Sequence, residues 1–121
     1  MVRFRIATWN VEWAASRSTR AQLIREAILN LQPEVVCLTE THLDFLEPLG
    51  GYTITGGQGW GYQASPTRRK VLLWSREPWE AVRDEGPPQM PPDRFVAGIT
   101  NTSVGKVLAY GVYNLGTPPK S

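Results

Sequence analysis

With 121 residues, 41% of them hydrophobic, the chain has apolar material for a modest core and lies within the usual span of about 50–250 residues for one domain. Thirteen basic against eleven acidic residues give a formal charge of +2, too small an imbalance to mark a nucleic-acid surface by itself. The single cysteine, Cys37, excludes an internal disulfide, fits a reducing compartment, and sits in an apolar run as a core residue.

No stretch approaches the roughly 18 continuous apolar residues of a membrane helix. The basic opening around Arg3 and Arg5 is followed by neither the apolar run nor the cleavage site of a secretory signal, so a soluble cytoplasmic protein is expected. Residues 4–11 mix apolar and polar positions near period two and predict a first strand. A loop follows over residues 13–20, with Ser16, Ser18 and Thr19 as possible helix caps. From Thr19 to Leu31, Leu23, Ile24, Ala27, Ile28 and Leu31 recur at three- and four-residue intervals, which predicts a helix with one buried stripe. Pro33 must stop it and bias Gln32 toward an extended conformation. Residues 34–40 form the second predicted strand, buried on both faces through Val35, Val36, Cys37 and Leu38.

Beyond Glu40 the pattern turns to strands and loops. Residues 52–55 read as a short strand and 56–61 as a glycine-rich loop. Residues 71–75 form a stronger strand, preceded by Arg68, Arg69 and Lys70 and followed by Pro78. Glycine and proline make 86–92 an exposed loop. Residues 95–101 and 106–114 then predict an antiparallel hairpin turning around Ser103, Val104 and Gly105. No internal repeat is evident.

Two polar strand ends stand out, Asn10 and Glu40. One helix joins their strands, so both ends can meet at one sheet edge, and an amide beside a carboxylate there is a site hypothesis. Each alone has a bland reading: Asn10 as a turn former, Glu40 as a solvated carboxylate. His42, the only histidine, has no identifiable acid–base partner and reads as a surface or structural residue. Arg68, Arg69 and Lys70 read as a solvated rim, and Arg94 as either an anion contact or a surface salt bridge. The glycines from Gly56 to Gly61 are not followed by a helix, so they match neither a dinucleotide fingerprint nor a Walker loop. Trp60 and Tyr62 belong to a rim loop, while Trp74 and Trp79 should pack on sheet or helix surfaces.

Three segments together resemble the endonuclease/exonuclease/phosphatase superfamily, which includes deoxyribonuclease I, exonuclease III and inositol polyphosphate 5-phosphatases. Ile6-Ala7-Thr8-Trp9-Asn10-Val11 is similar to the family's opening strand. Pro33-Glu34-Val35-Val36-Cys37-Leu38-Thr39-Glu40 is similar to its Pro-Asp, apolar, Leu-Gln-Glu strand, with Glu34 in place of the common Asp and Thr39 in place of the usual Gln. Lys70-Val71-Leu72-Leu73-Trp74-Ser75-Arg76 is similar to its later strand ending in Ser-Arg.

The resemblance implies an α/β fold, part of a four-layer α/β sandwich of the deoxyribonuclease I type, to which this chain gives mainly one mixed sheet with a covering helix. It also implies that residues 1–121 form the N-terminal half of one domain of roughly 250 residues, with no internal boundary. The later Asp-x-Asn and Ser-Asp-His motifs of the family are absent, and Tyr113-Asn114-Leu115-Gly116 stands near its middle-strand motif without the histidine.

By the same resemblance the reaction is metal-dependent hydrolysis of a phosphoester, a phosphodiester above all. Glu40 would hold Mg²⁺, with Mn²⁺ as the second option, and Asn10 would assist the metal or the phosphate; Arg94 is the substrate-binding candidate. The expected partners are a phosphoester substrate, nucleic acid among the options, and the missing C-terminal half or an equivalent partner chain. The chain alone is expected to be inactive. The alternatives are a noncatalytic nucleic-acid or phospholipid binding or assembly module, and a nonfunctional truncated product that exposes apolar surface.

Overall fold

A computed structural model describes residues 3–57, 66–83, 86 and 88–113. Strand β1 (Ile6–Asn10) leads into helix α1 (Thr19–Leu31), then β2 (Val35–His42), β3 (Tyr52–Thr55), β4 (Arg68–Ser75), β5 (Trp79–Arg83), β6 (Phe95–Thr102) and β7 (Gly105–Val112). The helix begins where predicted because Ser18 caps it, its hydroxyl oxygen accepting the Ala21 N–H at 3.1 Å. It ends on Gln32, which is left-handed and not extended as expected ahead of Pro33, because its N–H returns to the Leu29 carbonyl to close the helix.

The buried stripe of α1 is Ala21, Ile24 and Ile28, narrower than the periodicity suggested. Leu23 and Leu31 are exposed. Leu23 lies on the far side of the helix from Ala21 and Ile24, and Leu31 occupies its last position, beyond the packed turns.

The first sheet has the order β1-β2-β4-β3, with β1 and β2 parallel and the other pairs antiparallel. A parallel pair needs a crossover, and α1 supplies it. This is the expected mixed sheet with its covering helix. The hairpin of β6 and β7 forms as predicted, turning through Ser103 and Val104 into Gly105 at φ +105°. It does not join the first sheet. Together with β5 it makes a second, antiparallel sheet in the order β5-β6-β7, so the described residues form two sheets where mainly one was expected. Strand β5 carries no alternating apolar signal, since Glu80 to Arg83 are exposed and only Trp79 reaches the core.

Two cores result. Between α1 and the first sheet, Ala21, Ile24 and Ile28 pack on Val36, Leu38, Leu72 and Trp74, closed by Phe45 and Leu46. Between the sheets, Val35, Val71 and Leu73 meet Val96, Ala109 and Tyr113, with Cys37, Ile54 and Trp79 at the margin. Gly111 permits that approach, because a Cβ there would stand 2.7 Å from Val71 Cγ2. On the outer face of β7, Leu108, Tyr110 and Val112 are exposed. Trp74 and Trp79 pack as expected, and each also donates its indole N–H, to the Gly50 and Tyr52 carbonyls respectively.

At the end of the sandwich where β2 begins, Glu34 ties the sheets together. Its carboxylate accepts the Ser103 N–H at 2.7 Å and the Ser103 hydroxyl. Glu34→Ala should lower stability by about 1.5–2 kcal/mol in urea denaturation, the lower part of the range for hydrogen bonds to charged groups because the pair is partly solvated.

Burial raises the thiol pKa of Cys37 above its ordinary value, and a side-chain hydrogen bond with Thr8 opposes the shift. Below the unfolded thiol's pKa, about 8.5, both states keep the proton and stability is unaffected. As pH rises past that value the unfolded chain releases its proton first, and stability falls. Denaturation at pH 7 and pH 10 should reveal this loss, and Cys37→Ala should remove the Cys37 contribution to it.

Candidate functional site

At the other end of both sheets lie the C-terminal ends of β1 and β2, the start of β4, the residues leading into β6, and Tyr113 just after β7. Asn10, Glu40 and Arg94, the site candidates from the sequence, all reach this end. Asn10 closes β1 opposite Thr39, one residue before Glu40. Its Oδ1 accepts the Glu12 N–H at 2.9 Å, so the amide also shapes the turn that leaves the strand. Glu12 and Trp13 follow with φ of 52° and 61°, and the Trp13 N–H donates to the Glu40 carbonyl at 2.6 Å.

Glu40 itself is left-handed, at φ 51°. This conformation decides where its carboxylate goes. In β2, Val36 and Leu38 face α1 while Val35 and Cys37 face the second sheet. Strict alternation would send Glu40 with Val36 and Leu38 toward the helix side. Instead the ladder to β4 runs through Thr39↔Val71 and resumes at Thr41↔Arg69, and Glu40 Oε2 accepts the Tyr113 hydroxyl at 2.6 Å on the inter-sheet side. Thr8, paired with Cys37, and Asn10, two residues further, share that side. The break in alternation therefore brings the Glu40 carboxylate to the face that carries Asn10. A left-handed non-glycine residue costs of order 1–3 kcal/mol and persists where the surroundings over-determine it.

Around this point the charges are ordered. Lys70 Nζ meets Asp93 Oδ2 at 2.6 Å with both side chains buried, 8% and 1% exposed. Lys70 therefore departs from the solvated rim expected of the basic triplet. Asp93 and Arg94 stand on a short 3-10 turn, Pro92–Arg94, whose Arg94 carbonyl accepts the Tyr113 N–H at 2.9 Å. That bond links the Arg94 turn to the residue that holds Glu40. Arg94 Nε is buried with no hydrogen-bond partner among the described residues. Arg94 also lines two cavities of about 490 and 300 Å³, the first shared with Lys70 and Asp93 and the second with Tyr113.

The remaining candidates are structural or peripheral. His42 Nδ1 lies 2.8 Å from the Thr67 hydroxyl and ties β2 to the approach to β4. The Arg68 guanidinium stacks 5.1 Å from the Trp13 ring centroid, and Arg69 donates to the Pro66 and Arg68 carbonyls. Trp60 and Tyr62, and Asn114 to Gly116, lie outside the described residues. Tyr113, Lys70 and Asp93 are the site residues that sequence reasoning did not select. Tyr113 was legible only as part of an incomplete motif. Lys70 and Asp93 carry no signal, since nothing in their spacing indicates that they pair.

Asn10 and Glu40 offer oxygen donors, an amide oxygen and a carboxylate. Among the described residues no group of three or more His, Cys, Asp and Glu could enclose a metal ion. One carboxylate and one amide oxygen nevertheless fit a hard cation that keeps several waters and takes one or two protein carboxylates.

In comparisons with known proteins, no curated protein matches the chain. Among solved structures, an endonuclease/exonuclease/phosphatase from Beutenbergia cavernae superposes with a TM-score of 0.63 at 17% identity, covering 97% of this chain and 39% of that one. The 3' phosphatase NExo from Neisseria, bound to a product DNA hairpin, gives 0.62 at 23% identity, covering 89% and 40%. An AP endonuclease from Archaeoglobus fulgidus gives 0.57 at 22%, covering 81% and 37%. The chain thus spans about two-fifths of the length of these structures, and at such identities the likeness is one of fold. The model of the Endonuclease/Exonuclease/phosphatase family matches residues 7–120, nearly the whole sequence, and the chain belongs to that family.

Proposed function

We propose that this chain carries the first part of the active site of a metal-dependent phosphoester hydrolase, and forms the N-terminal half of one domain. The observation that carries the reading is the left-handed break at Glu40, which turns a strand carboxylate toward Asn10 and Tyr113 at one open end of the sandwich. Glu40 and Asn10 would hold the divalent cation, Mg²⁺ first and Mn²⁺ second. When bound, that cation neutralises phosphate charge and polarises a phosphorus–oxygen bond.

The protein's own groups do the positioning. Tyr113 donates to Glu40 Oε2 and fixes the rotamer of the carboxylate, the kind of outer partner that orients a metal ligand. The buried Lys70–Asp93 pair anchors the turn from which Arg94 would meet a substrate phosphate.

A group that activates water and one that assists the leaving oxygen are still needed. They would come from a C-terminal half or an equivalent partner chain, so turnover by this chain alone should be negligible. Nucleic acid is the proposed substrate, supported by the neighbours named as an AP endonuclease and as a 3' phosphatase on a DNA hairpin. A reducing, cytoplasmic setting suits the lone, partly buried thiol.

The test is twofold: titration of the chain with Mn²⁺, and incubation with Mg²⁺ and an oligonucleotide bearing a 3' phosphate. Saturable metal binding without turnover supports the reading. Robust turnover by the chain alone, abolished by Glu40→Ala, would overturn the predicted inactivity, and saturable oligonucleotide binding with no metal binding would favour a noncatalytic module.

A further inference from the structure

A cavity lies away from Glu40, at the end of the sandwich where β1 and β2 begin. Its volume, about 660 Å³, is that of a small-molecule site. Its lining combines apolar side chains, Leu29 and Leu49 with the buried Ile28 and Trp74, and three basic ones, Arg3, Arg5 and Arg76. Three arginines face one carboxylate, Glu34, which is already engaged by the Ser103 N–H and hydroxyl.

The arginines are in part held by the fold. Arg5 Nη1 donates to the Leu31 carbonyl at 2.9 Å, and Arg76 Nη2 to the Gln32 and Pro33 carbonyls at 3.2 and 3.1 Å. These contacts satisfy the end of α1, which has no basic residue of its own in its last turn. That role explains two guanidinium groups but not a third. Arg3 makes no side-chain hydrogen bond among the described residues, and a guanidinium offers five N–H donors, so all three retain donors for a ligand. Fork-shaped donors of this kind match the paired oxygens of phosphate or carboxylate.

We propose that this cavity binds a small organic anion, its phosphate or carboxylate head group toward Arg3, Arg5 and Arg76 and its apolar stem over Leu29 and Leu49. The site is separate from Glu40 and independent of the hydrolase reading. The head group supplies the charge-assisted bonds and the stem covers apolar lining, so neither half alone should bind well.

Calorimetric titration of the chain with octyl phosphate and with octanoate, both below their micellar concentrations, tests this. Inorganic phosphate and octanol probe the two halves of the ligand separately. Saturable one-to-one binding is expected for at least one of the amphiphilic anions, about tenfold or more tighter than for inorganic phosphate or octanol. The stronger of the two anions identifies the head group. The double variant Arg3→Gln/Arg76→Gln should weaken binding by about tenfold or more. Because Arg76 also holds the end of α1, Arg3→Gln alone is the second variant, and a weakening there with an unchanged circular dichroism spectrum supports a direct contact. Failure of both anions to saturate, binding of octanol as tight as either anion, or undiminished affinity in both variants overturns the proposal.

Discussion

Glu40→Gln should lower the affinity of the chain for Mn²⁺ more than any other single change at the site. The substitution keeps the side-chain length and an acceptor for the Tyr113 hydroxyl but removes the charge that attracts the cation. Loss of an outer partner alone typically costs about 10–100-fold in metal affinity, so loss of the carboxylate itself should reach at least that range. In an active domain of the proposed kind, the same substitution should slow hydrolysis by about two to three orders of magnitude, because a metal's electrostatic contribution is several kcal/mol and each 1.36 kcal/mol is tenfold. Tyr113→Phe separates positioning from ligation: it leaves the carboxylate and removes the 2.6 Å bond that holds it, so a smaller loss of affinity is expected. Equal Mn²⁺ affinity in wild type and Glu40→Gln, measured by titration, would remove Glu40 from the site.

Asp93→Ala should be the most destabilising of the substitutions considered. It leaves the Lys70 ammonium, 8% exposed, buried without the carboxylate that stands 2.6 Å away. Breaking a buried pair from one side costs about 3–5 kcal/mol, a large share of the 5–15 kcal/mol that holds a domain together. Replacing both members with apolar residues of similar volume, Lys70→Met with Asp93→Leu, should recover much of that loss, since the desolvation penalty disappears with the charges. Urea denaturation of Lys70→Met, Asp93→Leu and the double variant measures the coupling directly. Additive losses in the double variant would mean that the pair contributes no mutual stabilisation. Because Asp93 and Arg94 share one turn, the double variant also tests whether the pair positions Arg94: a folded protein with weakened phosphate binding is the expected combination.

The match of expectation to structure varies with the range of the interactions involved. The bounds of α1 follow from local chemistry, a hydroxyl cap at Ser18 and a proline at position 33, and they were legible to the residue. The strands 52–55 and 71–75 were legible from their apolar runs, although β4 extends back to Arg68 because Arg68 and Arg69 pair with His42 and Thr41. Strand β5 was not legible. It carries no apolar alternation and exists because its backbone completes the edge of β6. The division into two sheets was equally hidden, since a hairpin's own sequence does not say which sheet it joins.

What the sequence determined by itself is the order of the elements other than β5 and the convergence of Asn10 and Glu40 at one end. A parallel pair of strands joined by a helix must bring the two strand ends to the same edge. What only the tertiary structure decided is the direction of the Glu40 carboxylate and its company. Alternation along β2 would direct it toward α1. The left-handed backbone at Glu40, the hydroxyl of Tyr113 from 73 residues later, and the Lys70–Asp93 pair across two sheets are contacts between distant segments, and no local pattern encodes them.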